Sequence, residues 1–265
     1  MQVGQVCNYG YYYFLPILSL DIDERLACPI KQEGQGFANE RRGYFARANP
    51  PLPFCATYNS KLLIPPELLS QYFYSFPYPV EMTDDVHILT GFGEFSKCID
   101  EPPAHHKMNH LGVDFLCKEG TLVKSIDDGL VIGAREDPRH SYDGLADVYI
   151  YNPHNKLICG YTHLNTSSIP KAWFEIDLAK PETLLPISQG EKIGVVGKFP
   201  GEIHRDIYLE PDVEAKHGRN FNHLHLSCRY FYGDITNTTF EGNLFLILDE
   251  SLSLNPLLFL QRLYE

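Results

Sequence analysis

Residues 222–231 read NHLHLSCRYF, and the fold turns on what this segment is. Its leucines, aromatic and small residues suit a β-strand, yet it carries two imidazoles one residue apart. Successive strand side chains point to opposite faces, so His223 and His225 point the same way. On a helix of 3.6 residues per turn they would diverge by about 200°. One buried histidine is ordinarily a hydrogen-bonded core residue. Two on one strand face call for a shared task.

Working outward, the chain from about residue 86 is a succession of short strand-like segments broken by glycine. TLVKSI (121–126), GLVIGA (129–134), ADVYIYN (146–152), KLICGYTHL (156–164) and KIGVVG (192–197) have strand composition and strand length. Asp127-Asp128-Gly129 is a turn signal expected to join the first two as a hairpin. The fold class expected is mainly β, an antiparallel sheet core with short helices, over residues 86–265. Residues 1–85 form an N-terminal extension without a chemical signature. It is read as a structural extension packed on the β domain, or as a lid over the cleft. A short helix is expected there, from Pro65-Pro66 through ELLSQYFYSF to Pro77. The ending, NPLLFLQRLYE, is expected to be a short helix or a docking tail.

Composition bounds the function. A formal charge of −12 and the lack of a basic cluster exclude the nucleic-acid binders, which need a positive surface. No apolar run has the length of a membrane span. The opening MQVGQVCNYGYYYFLPILSL lacks the basic residues that precede the apolar stretch of a Sec leader, so either export takes another route or the sequence is trimmed. The seven cysteines show no CxxC spacing and read as free buried thiols.

Three strand-like segments supply the chemistry. NHLGVDF places His110, Gly112 and Asp114 on one face by the period of two, and the residue between the two polar groups has no side chain. That leaves room for a cation between an imidazole and a carboxylate, with no Cβ in the way. Zinc takes histidine nitrogen and carboxylate oxygen at roughly 2.0–2.2 Å, and catalytic sites leave one position open. GYTHL adds His163, and the HLH strand adds His223 and His225. His105, His106, His204 and His217 read as solvated loop residues, with lining of the substrate groove as the alternative for His204 or His217.

The ordered set of motifs from about residue 87 onward resembles the lysostaphin/LytM-type zinc endopeptidases that cut peptidoglycan cross-bridges. It comprises Phe92-Gly93, His110-x-Gly112-x-Asp114, GTLVKSIDDGLV (120–131), YTHL (161–164), GEKIGVVG (190–197), HLH (223–225) and NPLLFL. The resemblance implies Zn2+ as cofactor, with His110, Asp114 and His225 as its ligands and His163 and His223 as catalytic, non-ligand histidines. It implies peptidoglycan peptides as substrate, in the periplasm or outside the cell. A D-Ala–meso-diaminopimelate cross-link is the first expectation and a glycine-rich bridge the second. No HExxH motif offers a glutamate base. The chain departs from the family pattern at Phe95, where an Arg is frequent, and at Leu226 and Ser227. It also carries an unusually long segment, 198–222, ahead of the HLH strand.

Two other readings stay open at this stage. A relative without activity would be a binding or activator module for other wall hydrolases. An unrelated zinc hydrolase would use three histidines and leave Asp114 out of the metal shell. A cognate inhibitor or dedicated secretion machinery has no signature in the sequence.

Overall fold

A computed structural model describes residues 6–7, 10–11, 54–55, 72, 74–92, 110–136, 144–203, 205, 208–231, 233–235, 244–249 and 251–261. The strands begin with β1 (Val6–Cys7) and β2 (Gly10–Tyr11), which pair with each other. Then come β3 (Phe54–Cys55), β4 (His87–Thr90), β5 (Val113–Leu116), β6 (Leu122–Lys124) and β7 (Gly129–Glu136). β8 (Leu145–Asn152), β9 (Leu157–Asn165), β10 (Leu185–Ile187), β11 (Lys192–Val195), β12 (His223–Tyr230) and β13 (Leu252–Leu254) complete the set. Helices are short: α1 (Lys171–Phe174), α2 (Pro211–His217) and α3 (Leu244–Asp249). The fold is mainly β and antiparallel, as the residue patterns predict.

One sheet runs in the order β10-β7-β8-β9-β12-β13-β3. β12 is the strand at which the sheet branches. β9 flanks one side; on the other, β5 pairs with residues 223–226 and β13 with residues 228–230. β4 covers the outer side of β5. The period of two holds along β12: Leu224, Leu226 and Cys228 enter the main core with Val113, Phe115 and Tyr161. His223, His225 and Ser227 face the other way. Two smaller apolar clusters flank that second face. One joins Tyr149, Tyr151 and Ile158 to Ile247 and Leu248 of α3. The other joins Leu116 to Phe199, Leu209, Val213 and Phe221. Fully burying one such side chain stabilises by about 1.5–3 kcal/mol, so these clusters hold the walls of the polar face in place.

The expected hairpin of 121–126 with 129–134 does not form. β6 pairs with β11 in a separate two-stranded sheet, while β7 pairs with β8 and β10. The turn between them is a crossing from one sheet to the other, pinned by Asp127. Its Oδ2 accepts from Asn152 at 2.9 Å and Asn155 at 2.8 Å, and Ser125 N donates to Glu191 O at 2.9 Å. A buried carboxylate with amide donors on another hairpin outranks the local turn preference.

The helix expected before Pro77 lies mostly outside the described residues. Of those described, Tyr72 and Tyr74 are in turns, and Phe76 makes a parallel bridge to Leu260. Phe76 and Val80 are buried in the main core, and β3 extends the sheet beyond β13. Of the tail, Pro256–Leu258 form one 3-10 turn and Phe259 and Leu260 are docked in the core, while residues 262–265 lie outside the described residues.

The 198–222 segment is folded rather than a plain loop. Its two ends run side by side, with Phe221 N donating to Gly201 O at 3.0 Å and Ile203 N to Arg219 O at 2.8 Å. α2 occupies its middle, entered at Pro211 and ended by Gly218 at φ +61°, the left-handed position that glycine adopts freely. His217 is the last residue of α2 and only 8% exposed, with its ring edge-on to His87 at 5.7 Å. It is therefore not a solvated loop residue, because α2 turns it inward against β4. His105, His106 and His204 lie outside the described residues.

Candidate metal centre

Strand register brings the polar residues together. His225 stands directly opposite Asp114 across β12 and β5, and Thr90 of β4 stands opposite Asp114 on its other side. His110 is not on the strand, as the simple alternation expects. It precedes β5, and a bend at Gly112 carries it over the same face. The outcome is a tight triangle. His110 Nε2 lies 2.9 Å from Asp114 Oδ1 and 2.8 Å from His225 Nδ1, and His225 Nδ1 lies 3.0 Å from Asp114 Oδ1.

The space over Gly112 is not the cation gap expected from the sequence; the His225 ring fills it. A Cβ on Gly112 would sit 2.4 Å from Leu226 O and 2.6 Å from His225 Cε1 and Nε2. Gly112→Ala is accordingly expected to cost about 1–3 kcal/mol by overpacking and to weaken metal binding by displacing His225. A thermal melt paired with a metal titration checks both effects.

The donor chemistry of the triangle fits a cation. His110 Nδ1 donates to Gly91 O at 3.1 Å, which leaves Nε2 as a lone pair. That lone pair faces a carboxylate oxygen and a second ring nitrogen. His225 Nδ1 can donate a single proton, so at least one edge of the triangle sets two acceptors against each other unless a positive ion stands among them. Two imidazoles and one carboxylate are a ligand set suited to zinc. Asp114 supplies the one carboxylate of the set, a group that binds metal in its ionised form. Its side chain is 4% exposed, against 12% for His110 and 18% for His225, so the triangle opens toward solvent on the histidine side.

His223 and His163 stand beside the triangle. His223 Nδ1 donates to Phe221 O at 2.6 Å, and its Nε2 lies 3.7 Å from Asp114 Oδ1. His163 reaches the same place by breaking the strand alternation. Tyr161 pairs with Leu226 and Thr162 with His225, so strict alternation would send His163 to the core face. Between Ala146↔Leu164 and Val148↔Tyr161 the register of β8 and β9 shifts by one residue, and His163 adopts φ +69°. This bulge swings its imidazole onto the polar face and returns Leu164 to the core. The His163 and His223 rings are then 4.5 Å apart, with His163 6.4 Å from His225.

Two further residues could not be singled out from composition or spacing. Phe199 packs edge-on against His163 at 4.8 Å and His223 at 5.0 Å. Phe221 lies over His223 at 4.1 Å. Asn222 ties their two segments together, its Oδ1 accepting from Phe199 N at 2.8 Å. The available signal was an aromatic at each end of the 198–222 segment.

No family model and no curated protein matches the chain. Among solved structures it is similar to Csd3 from Helicobacter pylori, at 20% identity over 73% of this chain and 36% of that one, with a TM-score of 0.39. It is similar to a zinc-containing peptidase from Vibrio cholerae at 26% identity, covering 59% of this chain and 37% of that one, TM-score 0.35. It is also similar to the antimicrobial peptidase lysostaphin from Staphylococcus simulans at 18% identity, covering 63% and 52%, TM-score 0.36. The matched region thus spans a third to a half of those chains. At these TM-scores the likeness carries no weight of its own beside the five convergent side chains.

Proposed function

We propose that this chain is a zinc-dependent endopeptidase that hydrolyses peptide cross-links or stem peptides of bacterial peptidoglycan. The observation that carries the reading is the convergence of His110 Nε2, Asp114 Oδ1 and His225 Nδ1 within 3.0 Å of one another, beside two imidazoles outside the triangle. In this reading His110, Asp114 and His225 hold the metal, and His163 and His223 are the catalytic pair. Zinc, when bound, supplies a Lewis acid for the scissile carbonyl and lowers the pKa of water toward 7.

The protein's own residues do the rest. His223 commits Nδ1–H to Phe221 O, so Nε2 presents a lone pair toward the site and is the proton acceptor for the attacking water. The same nitrogen returns the proton to the departing amine. His163 is the donor to the carbonyl oxygen as charge develops on it. Phe199 and Phe221 fix the planes of both rings and keep water off their backs. Phe199→Ala is expected to lower kcat by about 10- to 100-fold through misplaced imidazoles, with bound zinc unchanged; steady-state kinetics beside metal analysis checks it.

The reading places the activity outside the cytoplasm, where the wall lies. No helix among the described residues is long and apolar enough to cross a membrane. A D-Ala–meso-diaminopimelate bond is the first candidate substrate, a glycine-rich bridge the second. Digestion of purified sacculi with mass analysis of the products tests the proposal. Soluble fragments with a newly freed amine and carboxylate at a cut peptide bond are expected; products cut only in the glycan, or none with zinc bound, would refute it.

A further inference from the structure

The core side of the same strand pair carries two thiols. Cys228 on β12 stands directly opposite Cys159 on β9, and both point into the main core with Leu226 and Tyr161. Cys159 is 2% and Cys228 0% exposed, and neither is in a disulfide. Directly opposed residues on antiparallel strands have Cα atoms about 4.5–5.5 Å apart, within the roughly 4.4–6.8 Å that a disulfide spans. Cys117, the other buried thiol among the described residues, has no such opposite number. It follows β5, where its backbone N donates to Asn222 O at 3.1 Å.

We propose that Cys159 and Cys228 form a dithiol site that closes to a cross-strand disulfide when the chain folds in the presence of a disulfide oxidant. The two thiols give up two protons and two electrons, one S–S bond forms between them, and one disulfide of the oxidant is reduced to two thiols. A mixed disulfide on either cysteine is the intermediate, resolved by the other. Burial sets the timing: neither sulfur is reachable once β9 and β12 have paired. The adjacent Cys228 thiol and burial also raise the Cys159 thiol well above its ordinary range, which keeps it unreactive in the folded chain. Cys159 lies four residues before His163, and Cys228 three residues after His225. The bridge would therefore staple together the two strands that present these imidazoles. It does not depend on a metal being bound.

The test is synthesis of the full chain without cells, once with glutathione disulfide and once with dithiothreitol, followed by trapping with N-ethylmaleimide in denaturant, where buried thiols are exposed, and peptide mass mapping. With the disulfide present, a linked pair of peptides containing Cys159 and Cys228 is expected, lighter by about 2 Da than the sum of the two thiol peptides. Cys117 should be alkylated, and the Tm should be higher than that of the reduced sample. Alkylation of both Cys159 and Cys228 in the oxidised sample would overturn the proposal. So would a bridge from either one to any other cysteine. Cys228→Val keeps the core apolar and should leave Cys159 fully alkylated under both conditions; a bridged Cys159 in that variant would sink the claim of selectivity.

Discussion

Asp114→Ala is expected to strip the protein of its metal and its activity together. The carboxylate is the one anion in the triangle, 2.9 Å from His110 Nε2 and 3.0 Å from His225 Nδ1. Without it, two imidazoles face each other with nothing to balance a divalent ion. Losing an outer partner of a zinc ligand costs about 10- to 100-fold in affinity, so losing a ligand costs more. Zinc should fall from one per chain to near none after dialysis. Asp114→Asn keeps the shape and removes the charge, and should lie between the two. The fold itself should survive, because Val113 and Phe115 keep β5 in the core, and circular dichroism would show it. Zinc retained in Asp114→Ala would point instead to a shell of three histidines.

The second large effect separates catalysis from metal binding. His223→Ala should lower kcat by roughly 10²–10⁴-fold, the usual worth of a positioned acid or base, with zinc still bound at one per chain. His163 needs more care, because it sits at φ +69°, a left-handed position that histidine tolerates better than alanine does. His163→Asn avoids the problem, since asparagine tolerates the left-handed region. It should likewise keep the zinc and lose turnover. Zinc lost in either variant would make that histidine a ligand and reverse its role.

Much of this site was legible in the sequence because a strand has a simple period. The shared face of His223 and His225 follows from alternation alone, and the register then sets Asp114 opposite His225. Alternation fails at His163, where one inserted residue and a left-handed backbone reverse the face. No pattern of apolar residues marks a bulge, so the histidine was found for its type rather than its direction. Gly112 was singled out correctly as a place without a side chain, yet the physical reason differs: the His225 ring and Leu226 O take the space. Turn chemistry misled at Asp127, whose buried carboxylate serves Asn152 and Asn155 rather than a hairpin. The 198–222 segment gave no period at all. Its role as the wall behind His163 and His223 emerges only when Phe199 and Phe221 are seen in space.

The most direct test of the metal centre is X-ray absorption at the zinc edge on protein loaded with one zinc per chain. Two imidazole nitrogens and one carboxylate oxygen predict a shell of light scatterers at about 2.0–2.1 Å, with the multiple-scattering signature of two histidines. A sulfur shell near about 2.3 Å, the signature of three histidines, or failure to hold stoichiometric zinc would contradict the assignment of His110, Asp114 and His225.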